Sequence, residues 1–408
     1  MDIRSQFPAL QRTVYGKRLV YFDNAATAQR PRAVLEFQQK MSVEANANIH
    51  RAIHKLAGDA TELYEAGREA VRSYLNAPSR ENIVLTGGTT ESINLVATCF
   101  CQAFVRQGDS ILISEAEHHS NIVPWQLACG RCGAKLEVLP VDEAGEISVE
   151  DLDKRLASAG GRIKLVSVAH ISNILGIVNP VRQIVETAHR HGVPVLLDGA
   201  QGIVHEKVDV QALDCDFYAF SGHKVYAPTG TGVLYGKREL LEKMPPFMGG
   251  GEMIETVTFE KTTYAPLPLK YEAGTRNFVG AACLAPALET AKAMAQDAGL
   301  KANMDAMRDY LLEDLPKIDG LRIYGLPADH SRKIPLFSFT VEGAYASDIA
   351  QILDKMGIAV RSGHMCAEPL LNRYGQTSML RASLAPYNTL SECEVFTASL
   401  RRAVKMLR

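Results

Sequence analysis

Short apolar runs alternate with longer stretches of helical period along most of this chain. The runs at 164–170, 193–198 and 216–221, and the apolar segment 231–236, predict strands. Between the first two, residues 179–192 place apolar side chains on one helical face, and we expect Asn179 to cap this helix and Gly192 to end it. The alternation predicts an α/β fold with a mostly parallel sheet covered by helices.

The pattern changes near residue 290. Residues 287–315 have a long helical period with a break expected around Gly299, and 347–357 are typical of an amphipathic helix with Ser347 before it and Gly357 after it. Residues 358–363 then predict a strand that runs into a loop. We therefore predict a large α/β domain over 17–290 and a smaller α+β domain over 291–408, with the N-terminal arm 1–16 belonging to the smaller one.

The composition narrows the functional classes. Apolar residues make up 47% and charged residues 22% of the 408 positions, which is ordinary for a globular protein. The formal net charge of −2 indicates neither a nucleic acid nor an anionic membrane as partner. No run approaches the ~20 apolar residues that span a bilayer, and the first residues lack the apolar core of a signal peptide. A reducing cytoplasmic location is the expectation.

The eight cysteines are not expected to form a disulfide framework in such a compartment. Cys129 and Cys132 form a CxxC pair, which is a weak signal without a second pair at zinc-binding spacing. Cys99 and Cys101 lie one residue apart on a predicted helix, so their side chains point to different faces. We predict no metal site, and the role of these four cysteines stays open.

One lysine stands in an unusual position. Lys224 follows the predicted strand 216–221 directly, with Ser221 and His223 beside it, and a hydroxyl and an imidazole both suit a phosphate group. Asp198 ends a buried strand 26 positions earlier. Because open α/β sheets bind ligands at the carboxyl ends of their strands, we expect the carboxylate and the lysine to share a site.

A glycine turn supplies the third part of this site. Residues 85–95, LTGGTTESINL, predict a strand, a turn and the start of a helix at Thr89 and Thr90, where backbone N–H groups favour an anion. A lysine that can bond an aldehyde, a carboxylate for a pyridine nitrogen and a phosphate cup together indicate a pyridoxal phosphate site. Of the two histidines after the strand SILIS, we favour His118 for stacking on the cofactor and expect His119 to be structural.

The loop 360–375, VRSGHMCAEPLLNRYG, carries the remaining chemistry. Cys366 follows a glycine and a histidine, and Arg361 and Arg381 lie before and after it in the sequence. Cationic neighbours favour a reactive thiolate, and an arginine can bind a carboxylate with two parallel hydrogen bonds. A pyridoxal enzyme with a carboxylate clamp and a thiol is suited to an amino acid that carries sulfur.

These segments, taken together, resemble a known family. The stretches YFDNAATAQRP, NIHRAIHKLA, GGTTESINLVA, EHHSNIVPWQ, ISNILGIVNP, LLDGAQG, YEAGTRN and RSGHMCAEPL match in order the class V, fold type I pyridoxal phosphate enzymes. Within that class the chain is most similar to the SufS-type, or group II, cysteine desulfurases. The resemblance covers essentially the whole chain. It implies conversion of L-cysteine to L-alanine, with the sulfur passing to Cys366 as a persulfide for iron–sulfur cluster assembly.

The resemblance also implies roles for individual residues. Lys224 would hold the cofactor and move the α-proton of the substrate, and Arg381, with Arg361 nearby, would bind the substrate carboxylate. His118 would stack on the ring, and Asp198 would pair with its nitrogen. The other implied cofactor contacts are Gln201 and Asn173 on the phenolic oxygen side of the ring, Thr89, Thr90, Ser221 and His223 on the phosphate, and Thr275 from a partner subunit. Asn173 would also lie near the substrate, and the segment with His50 and Arg51 would line the dimer-side entrance.

Partners and alternatives follow from the same resemblance. It implies a homodimer and a sulfur acceptor protein of the SufE or SufU type, without distinguishing the two. A selenocysteine lyase and a class V aminotransferase are the alternatives, and the preference for cysteine or selenocysteine stays open. The chain departs from the family at GHMC, where Met365 replaces a second histidine and leaves the role of that imidazole in doubt. Arg276, which follows EAGT beside the predicted phosphate-binding Thr275, is a milder departure from the family pattern.

Overall fold

The computed structural model describes residues 3–408; residues 1 and 2 of the predicted arm lie outside the described part. A seven-stranded sheet forms its centre. In spatial order its strands are Ile83–Thr86, Gly232–Gly236, Phe217–Ser221, Val195–Asp198, Ile163–Ala169, Ser110–Ser114 and Lys135–Leu139. Gly232–Gly236 is antiparallel to both of its neighbours, and every other pairing is parallel. The predicted α/β class with a mostly parallel sheet is confirmed.

Helices cover both faces of this sheet. The central strands are buried along their whole length, as the continuous apolar runs predicted. The α-helices of residues 3–283 are Arg32–Glu44, Lys55–Tyr74, Thr89–Phe104, Val123–Cys132, Val149–Ser158, Val181–Arg190, Gly202–His205, Val210–Leu213, Arg238–Lys243 and Phe278–Ala282. Among the described residues, no helix combines the length and apolar character that a membrane crossing requires.

A second, antiparallel sheet lies in the last quarter of the chain. Its strands, in spatial order, are Leu321–Tyr324, Leu336–Val341, Met379–Ser383 and Arg361–Gly363. The α-helix Leu284–Gln296 still packs against Lys55–Tyr74 in the core of the large sheet, and the α-helices that follow it are Ala298–Asp314, Ala346–Lys355, Glu368–Arg373 and Leu390–Leu407. A separate apolar cluster centred on Phe337, Phe339 and Phe396 forms its core.

The N-terminal segment joins the second sheet region rather than the large sheet. Val20–Tyr21 pairs in parallel with Ile358–Ala359, and Asp23 forms a bridge with Ser383. Thr13–Val14 pairs with Lys17–Arg18, and Ile254–Val257 pairs with Thr262–Tyr264 in a peripheral hairpin. The division at residue 290 stays a prediction, since the chain crosses between the two regions more than once.

Three helix boundaries differ from the sequence-based expectation. Asn179 does not cap its helix; its Nδ2 donates to the carbonyl of Ala169 at 2.8 Å, and Pro180 occupies the cap position. The long helical region breaks at Asp297, whose carboxylate accepts from the N–H of Gly299 and of Leu300. Ser347 lies inside its helix, which begins at Ala346.

Eight short 3-10 turns lie between the longer elements of the described residues. These turns are Ile3–Gln6, Pro8–Gln11, Arg80–Asn82, His119–Asn121, Gly222–Lys224, Leu269–Tyr271, Leu315–Lys317 and His330–Arg332. Two of them, His119–Asn121 and Gly222–Lys224, begin just beyond strands of the large sheet. They therefore place histidine and lysine side chains at its carboxyl edge.

Candidate active site

A cavity of about 290 Å³ lies at the carboxyl edge of the large sheet. It forms there because five strands end at this edge and each is followed by a turn that carries polar side chains. Of the residues predicted for the site, those that line the cavity are Thr89, Thr90, His118, Asn173, Asp198, Gln201, Ser221, His223, Lys224, Arg361, Cys366 and Arg381. Residues far apart in the sequence thus share one cavity.

One part of the cavity wall is a cup of hydroxyl groups at the start of the helix Thr89–Phe104. The Ser221 hydroxyl accepts from the Thr89 N–H at 2.8 Å and lies 2.7 Å from the Thr89 hydroxyl. The Thr90 hydroxyl bonds Ser120 at 2.8 Å. The turn before this helix packs closely on the strand Gly232–Gly236: a Cβ atom on Gly232 would lie 2.3 Å from the Gly88 Cα atom, so position 232 needs glycine. Hydroxyls and a helix N-terminus together suit a phosphate group.

Lys224 and Asp198 both line the cavity, and the charge of each affects the pKa of the other. Burial lowers the pKa of Lys224 to about 8; the carboxylate of Asp198 opposes that change, and the charge of Arg381 adds to it. Burial raises the pKa of Asp198, against the N–H of Ala200 and the charge of Lys224, which both lower it. The amine is therefore readily available in its neutral, nucleophilic form.

The two histidines that face the site are held neutral. Burial, aided by the charge of Lys224, lowers the pKa of His118 to about 3 and that of His223 to about 4. The His118 Nδ1 accepts from the N–H of Ser120 at 3.0 Å, and the His223 Nδ1 lies 3.2 Å from the Thr27 hydroxyl. A neutral imidazole with a fixed acceptor nitrogen can pack against an uncharged ring or donate from its other nitrogen.

The two arginines meet at a carboxylate that the sequence analysis did not single out. Asp23 accepts two hydrogen bonds from Arg361, at 3.0 Å from Nε and 2.9 Å from Nη2, and its Oδ1 lies 3.4 Å from Arg381 Nη2. Arg381 is only 3% exposed and also donates from Nη1 to the Asn173 carbonyl at 2.9 Å. Its buried Nε has no hydrogen-bond partner within residues 3–408.

That unpartnered nitrogen is informative. A buried guanidinium N–H without an acceptor costs free energy, of the order of 1–3 kcal/mol, unless a ligand supplies one. Burial lowers the pKa of Arg381 to about 10, so the side chain stays a cation at neutral pH. A ligand carboxylate in the cavity would satisfy the remaining donor.

Cys366 lies on a turn with unusual backbone geometry. Met365 and Cys366 adopt consecutive left-handed conformations, with φ of 51° and 55°. The turn is fixed at both carbonyls: the Asn173 Nδ2 donates to the Met365 carbonyl at 2.8 Å, and the His119 N–H donates to the Cys366 carbonyl at 2.7 Å. The Met365 side chain is buried, whereas the Cys366 side chain is exposed to the cavity mouth.

The other seven cysteines differ from Cys366 in exposure. Six are buried and Cys132 is partly buried. Burial raises the pKa of Cys99 to about 12, and contact between the thiols of Cys101 and Cys129 raises the pKa of the first. None of these thiols lines the cavity, which leaves Cys366 as the nucleophile that the site can use.

Three predicted residues lie outside this cavity. Thr275 is exposed, and the His50 ring is bound to Glu252 at 3.0 Å and to Glu65 at 3.3 Å. Arg51 pairs with the same Glu252 at 2.6 Å. A contribution from these residues requires a second subunit, so their assigned roles stay predictions.

Two predicted contact residues hold protein groups in this structure. The Gln201 Nε2 donates to the carbonyl of Ala25 at 2.8 Å, and Asn173 is bonded to the turn of Cys366. His119, expected to be structural, also bonds this turn, through both its backbone N–H and its ring. The contact of His119 with the Cys366 turn could have been expected from its place in the sequence next to His118, which faces the cavity.

The comparisons with known proteins agree with this geometry. The family model described as aminotransferase class-V matches residues 20–396. The chain belongs to the aminotransferase class-V family. The predicted class V, fold type I family and its cofactor, pyridoxal phosphate, are confirmed, while the SufS-type subgroup stays a prediction.

Relatives of this class-V chain carry one activity in their names. It is 46% identical over 410 residues to a cysteine desulfurase of Cronobacter sakazakii, covering 100% of this chain and 98% of the relative. It is 44% identical to a probable cysteine desulfurase of Vibrio cholerae, covering 99% and 98%. A cysteine desulfurase of Synechococcus elongatus is 48% identical, but the chain spans only 63% of that protein's length.

Solved structures show the same class-V architecture. The cysteine desulfurase CsdA of Escherichia coli, with an S-sulfonic acid, superposes with a TM-score of 0.89 at 40% identity, covering 99% of this chain and 98% of that one. An apo cysteine desulfurase of Thermococcus onnurineus superposes with a TM-score of 0.90 at 34% identity, covering 98% of each chain. The fold prediction is confirmed by both.

The residues present fit the family's cofactor. The hydroxyl cup at a helix N-terminus suits the phosphate, Lys224 suits the aldehyde, and the buried carboxylate of Asp198 suits a protonated pyridine nitrogen. The unpartnered Nε of Arg381 adds a hydrogen-bond donor for an amino-acid carboxylate in the same cavity.

Proposed function

We propose that this protein is a pyridoxal-phosphate-dependent cysteine desulfurase, which converts L-cysteine to L-alanine and takes up the sulfur on Cys366 as a persulfide. The single observation that carries the proposal is that an exposed cysteine on a fixed turn shares one cavity with Lys224 and with the buried Arg381. A transaminase uses a lysine and an arginine but has no need of the thiol. The names of the relatives support the same activity.

Arg381 orients the substrate in this proposal. Its Nη groups are held by the Asn173 carbonyl and Asp23, so the guanidinium plane is set before substrate arrives. Its free Nε then gives the substrate carboxylate a charge-assisted hydrogen bond, which is worth about 1.5–3 kcal/mol. Arg361 is held in the cavity wall by its own hydrogen bond to Asp23, so its positive charge also attracts the substrate carboxylate.

Lys224 moves the α-proton of the substrate. The bound cofactor supplies an electron sink for the carbon from which that proton leaves. The buried carboxylate of Asp198 would pair with the ring nitrogen of the cofactor and favour its protonated, electron-withdrawing form. The lowered pKa of Lys224, about 8, makes its amine a base near neutral pH and an acid once it is protonated.

Cys366 takes the sulfur. Its thiolate attacks the substrate sulfur, an S–S bond forms as the substrate C–S bond breaks, and the electron pair of that bond returns to the substrate carbon. A proton completes the methyl group of alanine, so carbon is reduced and the protein thiol is oxidised without an external redox partner. The turn places Cys366 at the cavity mouth, where its persulfide remains accessible to a second protein.

The assembly and partners are part of the proposal. We infer a homodimer in which Thr275 completes the partner's phosphate cup and His50 and Arg51 border the entrance. Ile53, close to these two residues in the chain, and Phe259 are fully exposed apolar side chains, which is typical of surfaces that a second subunit buries. The acceptor would be a SufE-type or SufU-type protein, the sulfur would serve iron–sulfur cluster assembly, and the location would be cytoplasmic. L-selenocysteine is the alternative substrate.

The decisive experiment measures alanine release from L-cysteine by the purified holoenzyme and three variants. Lys224→Ala should abolish alanine release, and Cys366→Ser should lower it by at least about 100-fold, because a covalent step is lost. Cys132→Ser, a partly buried thiol outside the cavity, is the matched control and should keep the wild-type rate. Full activity of Cys366→Ser toward cysteine would refute the proposal, and selective retention of selenocysteine cleavage would favour the lyase alternative.

A further inference from the structure

A second set of chemical groups surrounds the proposed nucleophile. His119, His364 and Cys366 each offer one atom able to bind a metal, and the three atoms all lie within 4.8 Å of one another. Within residues 3–408 this is the one group of three or more such side chains that meets that distance. His364 and Cys366 are exposed and His119 is partly buried, so ions from solvent can reach the group.

We propose that His119, His364 and Cys366 form a binding site for a thiophilic divalent cation, such as Zn²⁺, that blocks the sulfur-accepting thiol. Two imidazoles and a thiolate are a donor set that Zn²⁺ prefers, and water would complete the tetrahedron because the site is open on one side. This set differs from the pairs of cysteines that the sequence analysis weighed.

Hydrogen bonds identify which ring nitrogen of each histidine carries the lone pair that could bind a metal ion. The His119 Nε2 accepts from the N–H of Glu368 at 3.1 Å, and the His364 Nδ1 accepts from the N–H of Cys366 at 3.2 Å. A nitrogen that accepts carries a lone pair and no proton, so these are the atoms that can bind a metal. Both lone pairs point to the segment 366–368, which carries the thiol.

The cost of releasing these lone pairs is small. Both hydrogen bonds are at the long end of the normal range, and the two N–H groups belong to exposed residues that water can satisfy. Zn–N and Zn–S bonds of about 2.0 and 2.3 Å place ligand atoms about 3.5 Å apart. Small rotations of exposed side chains close the remaining gap.

The backbone keeps the three ligands together. The His119 N–H donates to the Cys366 carbonyl at 2.7 Å, and the Asn173 side chain holds the Met365 carbonyl at 2.8 Å. The buried Met365 side chain anchors the turn to the protein interior. The His119 and His364 rings are neighbours, with centroids 5.6 Å apart and planes tilted by 30°. The site is therefore largely formed without the ion.

Metal binding would compete with sulfur transfer. The Cys366 thiol would lose its proton to solvent on coordination, since a metal-bound thiol is deprotonated, and no electron would move. Coordination would hold the Cys366 sulfur at the ion and lower its negative charge, which makes it a weaker nucleophile, so alanine formation would fall. This consequence rests on the proposed function, whereas binding of the ion does not.

The binding test uses Co²⁺ as a coloured substitute for Zn²⁺ on the holoenzyme. We expect one equivalent of Co²⁺ to produce the visible bands of tetrahedral cobalt, read as a difference spectrum against the cofactor, and Zn²⁺ to abolish them. His364→Asn should weaken cobalt binding by about 10-fold or more, since even outer-shell changes at metal sites cost 10–100-fold. His330→Asn, an exposed histidine elsewhere, is the matched control and should bind as wild type does.

Cysteine variants separate this site from others. Cys366→Ser should lose the cobalt–thiolate absorption, and Cys132→Ser should keep it. The proposal is overturned if holoenzyme gives no tetrahedral cobalt signal, or if the signal survives both His364→Asn and Cys366→Ser. Circular dichroism and the cofactor absorption confirm that each variant is folded.

The activity test distinguishes this inference from the proposed function. Zn²⁺ should inhibit alanine release by the wild type, a chelator should restore it, and His364→Asn should need at least about 10-fold more Zn²⁺ for the same fractional inhibition. Cobalt binding without any alanine release, even after chelation, would refute the proposed function and leave the metal site established. Uninhibited alanine release in the presence of bound cobalt would overturn the inhibitory role.

Discussion

At pH 7 the amine of Lys224 should react with an aldehyde far faster than an ordinary lysine does. Burial lowers its pKa from 10.5 to about 8, with Asp198 opposing the change and Arg381 adding to it. A group with a pKa of 8 is neutral in about one molecule in ten at pH 7, and one with a pKa of 10.5 in about one in 3,000. The reactive form is thus about 300 times more abundant.

The assay follows the pH dependence of that reaction. Cofactor-free protein is mixed with pyridoxal phosphate for a short time, the bond to the lysine is trapped with borohydride, and the peptide that contains Lys224 is quantified by mass. The rate should rise with pH and reach half of its maximum near pH 8, because the neutral amine is the nucleophile. Free lysine, treated in parallel, corrects for the titration of the cofactor itself.

Two variants test the physical cause. Arg381→Gln removes a positive charge that disfavours protonation, so its midpoint should move to higher pH. Arg238→Gln removes an exposed arginine outside the cavity and should leave the midpoint unchanged. A wild-type midpoint near pH 10 would show that Lys224 is not held in a buried, cationic environment, and the reasoning would fail.

Three further predictions concern neighbouring groups. Arg381→Lys should raise the KM for cysteine by roughly 10–100-fold in steady-state alanine assays, because a charge-assisted hydrogen bond of about 1.5–3 kcal/mol is lost; an unchanged KM would contradict the clamp. Asp23→Asn should lower the free energy of unfolding in urea by about 1–3 kcal/mol, since the buried guanidinium of Arg381 loses its charged acceptor, and L-alanine should restore more stability to this variant than to wild type. Burial lowers the pKa of Lys333 to about 7. Between pH 7 and 10 the unfolded chain therefore binds one more proton, so the stability of wild type should rise relative to Lys333→Met by up to about 1.4 kcal/mol per pH unit; parallel pH profiles would refute this.

The strands and the edge where the site forms were predictable from the sequence. Runs such as 193–198 are apolar throughout, and a strand buried on both faces requires that composition. Lys224 and Asp198 were found for the same reason, since Asp198 ends one buried strand and Lys224 lies in the turn after another. Local pattern was sufficient wherever the polar residue and the strand were adjacent in the chain.

The sequence could not show which polar groups meet across the fold. Asp23 bonds Arg361 across 338 positions, and Asn173 bonds Met365 across 192. A shorter contact, across ten positions, explains the wrong cap, because the Asn179 amide donates to the carbonyl of Ala169 at the preceding strand end instead of capping its own helix. A cap signal predicts only what a side chain can do locally, and a tertiary partner overrides it.

The roles of the predicted residues that lie outside the cavity could be tested least from one chain. His50 and Arg51 share Glu252 within one chain, and Thr275 is exposed. Their predicted roles depend on a second subunit, and no pattern within one chain describes how two copies meet. The Met365 position is similar: the residue type departs from the resemblance, and only the fold shows that its side chain is buried and its backbone left-handed.

Mass analysis of the Cys366 peptide after a single turnover tests the central claim most directly. Holoenzyme in excess over L-cysteine is quenched rapidly, free thiols and persulfides are alkylated, and alanine is counted in the same sample. We expect one added sulfur atom on the peptide that contains Cys366 for each alanine formed. Alanine in equal yield with that peptide unmodified, or with the sulfur on another cysteine, would contradict the claim.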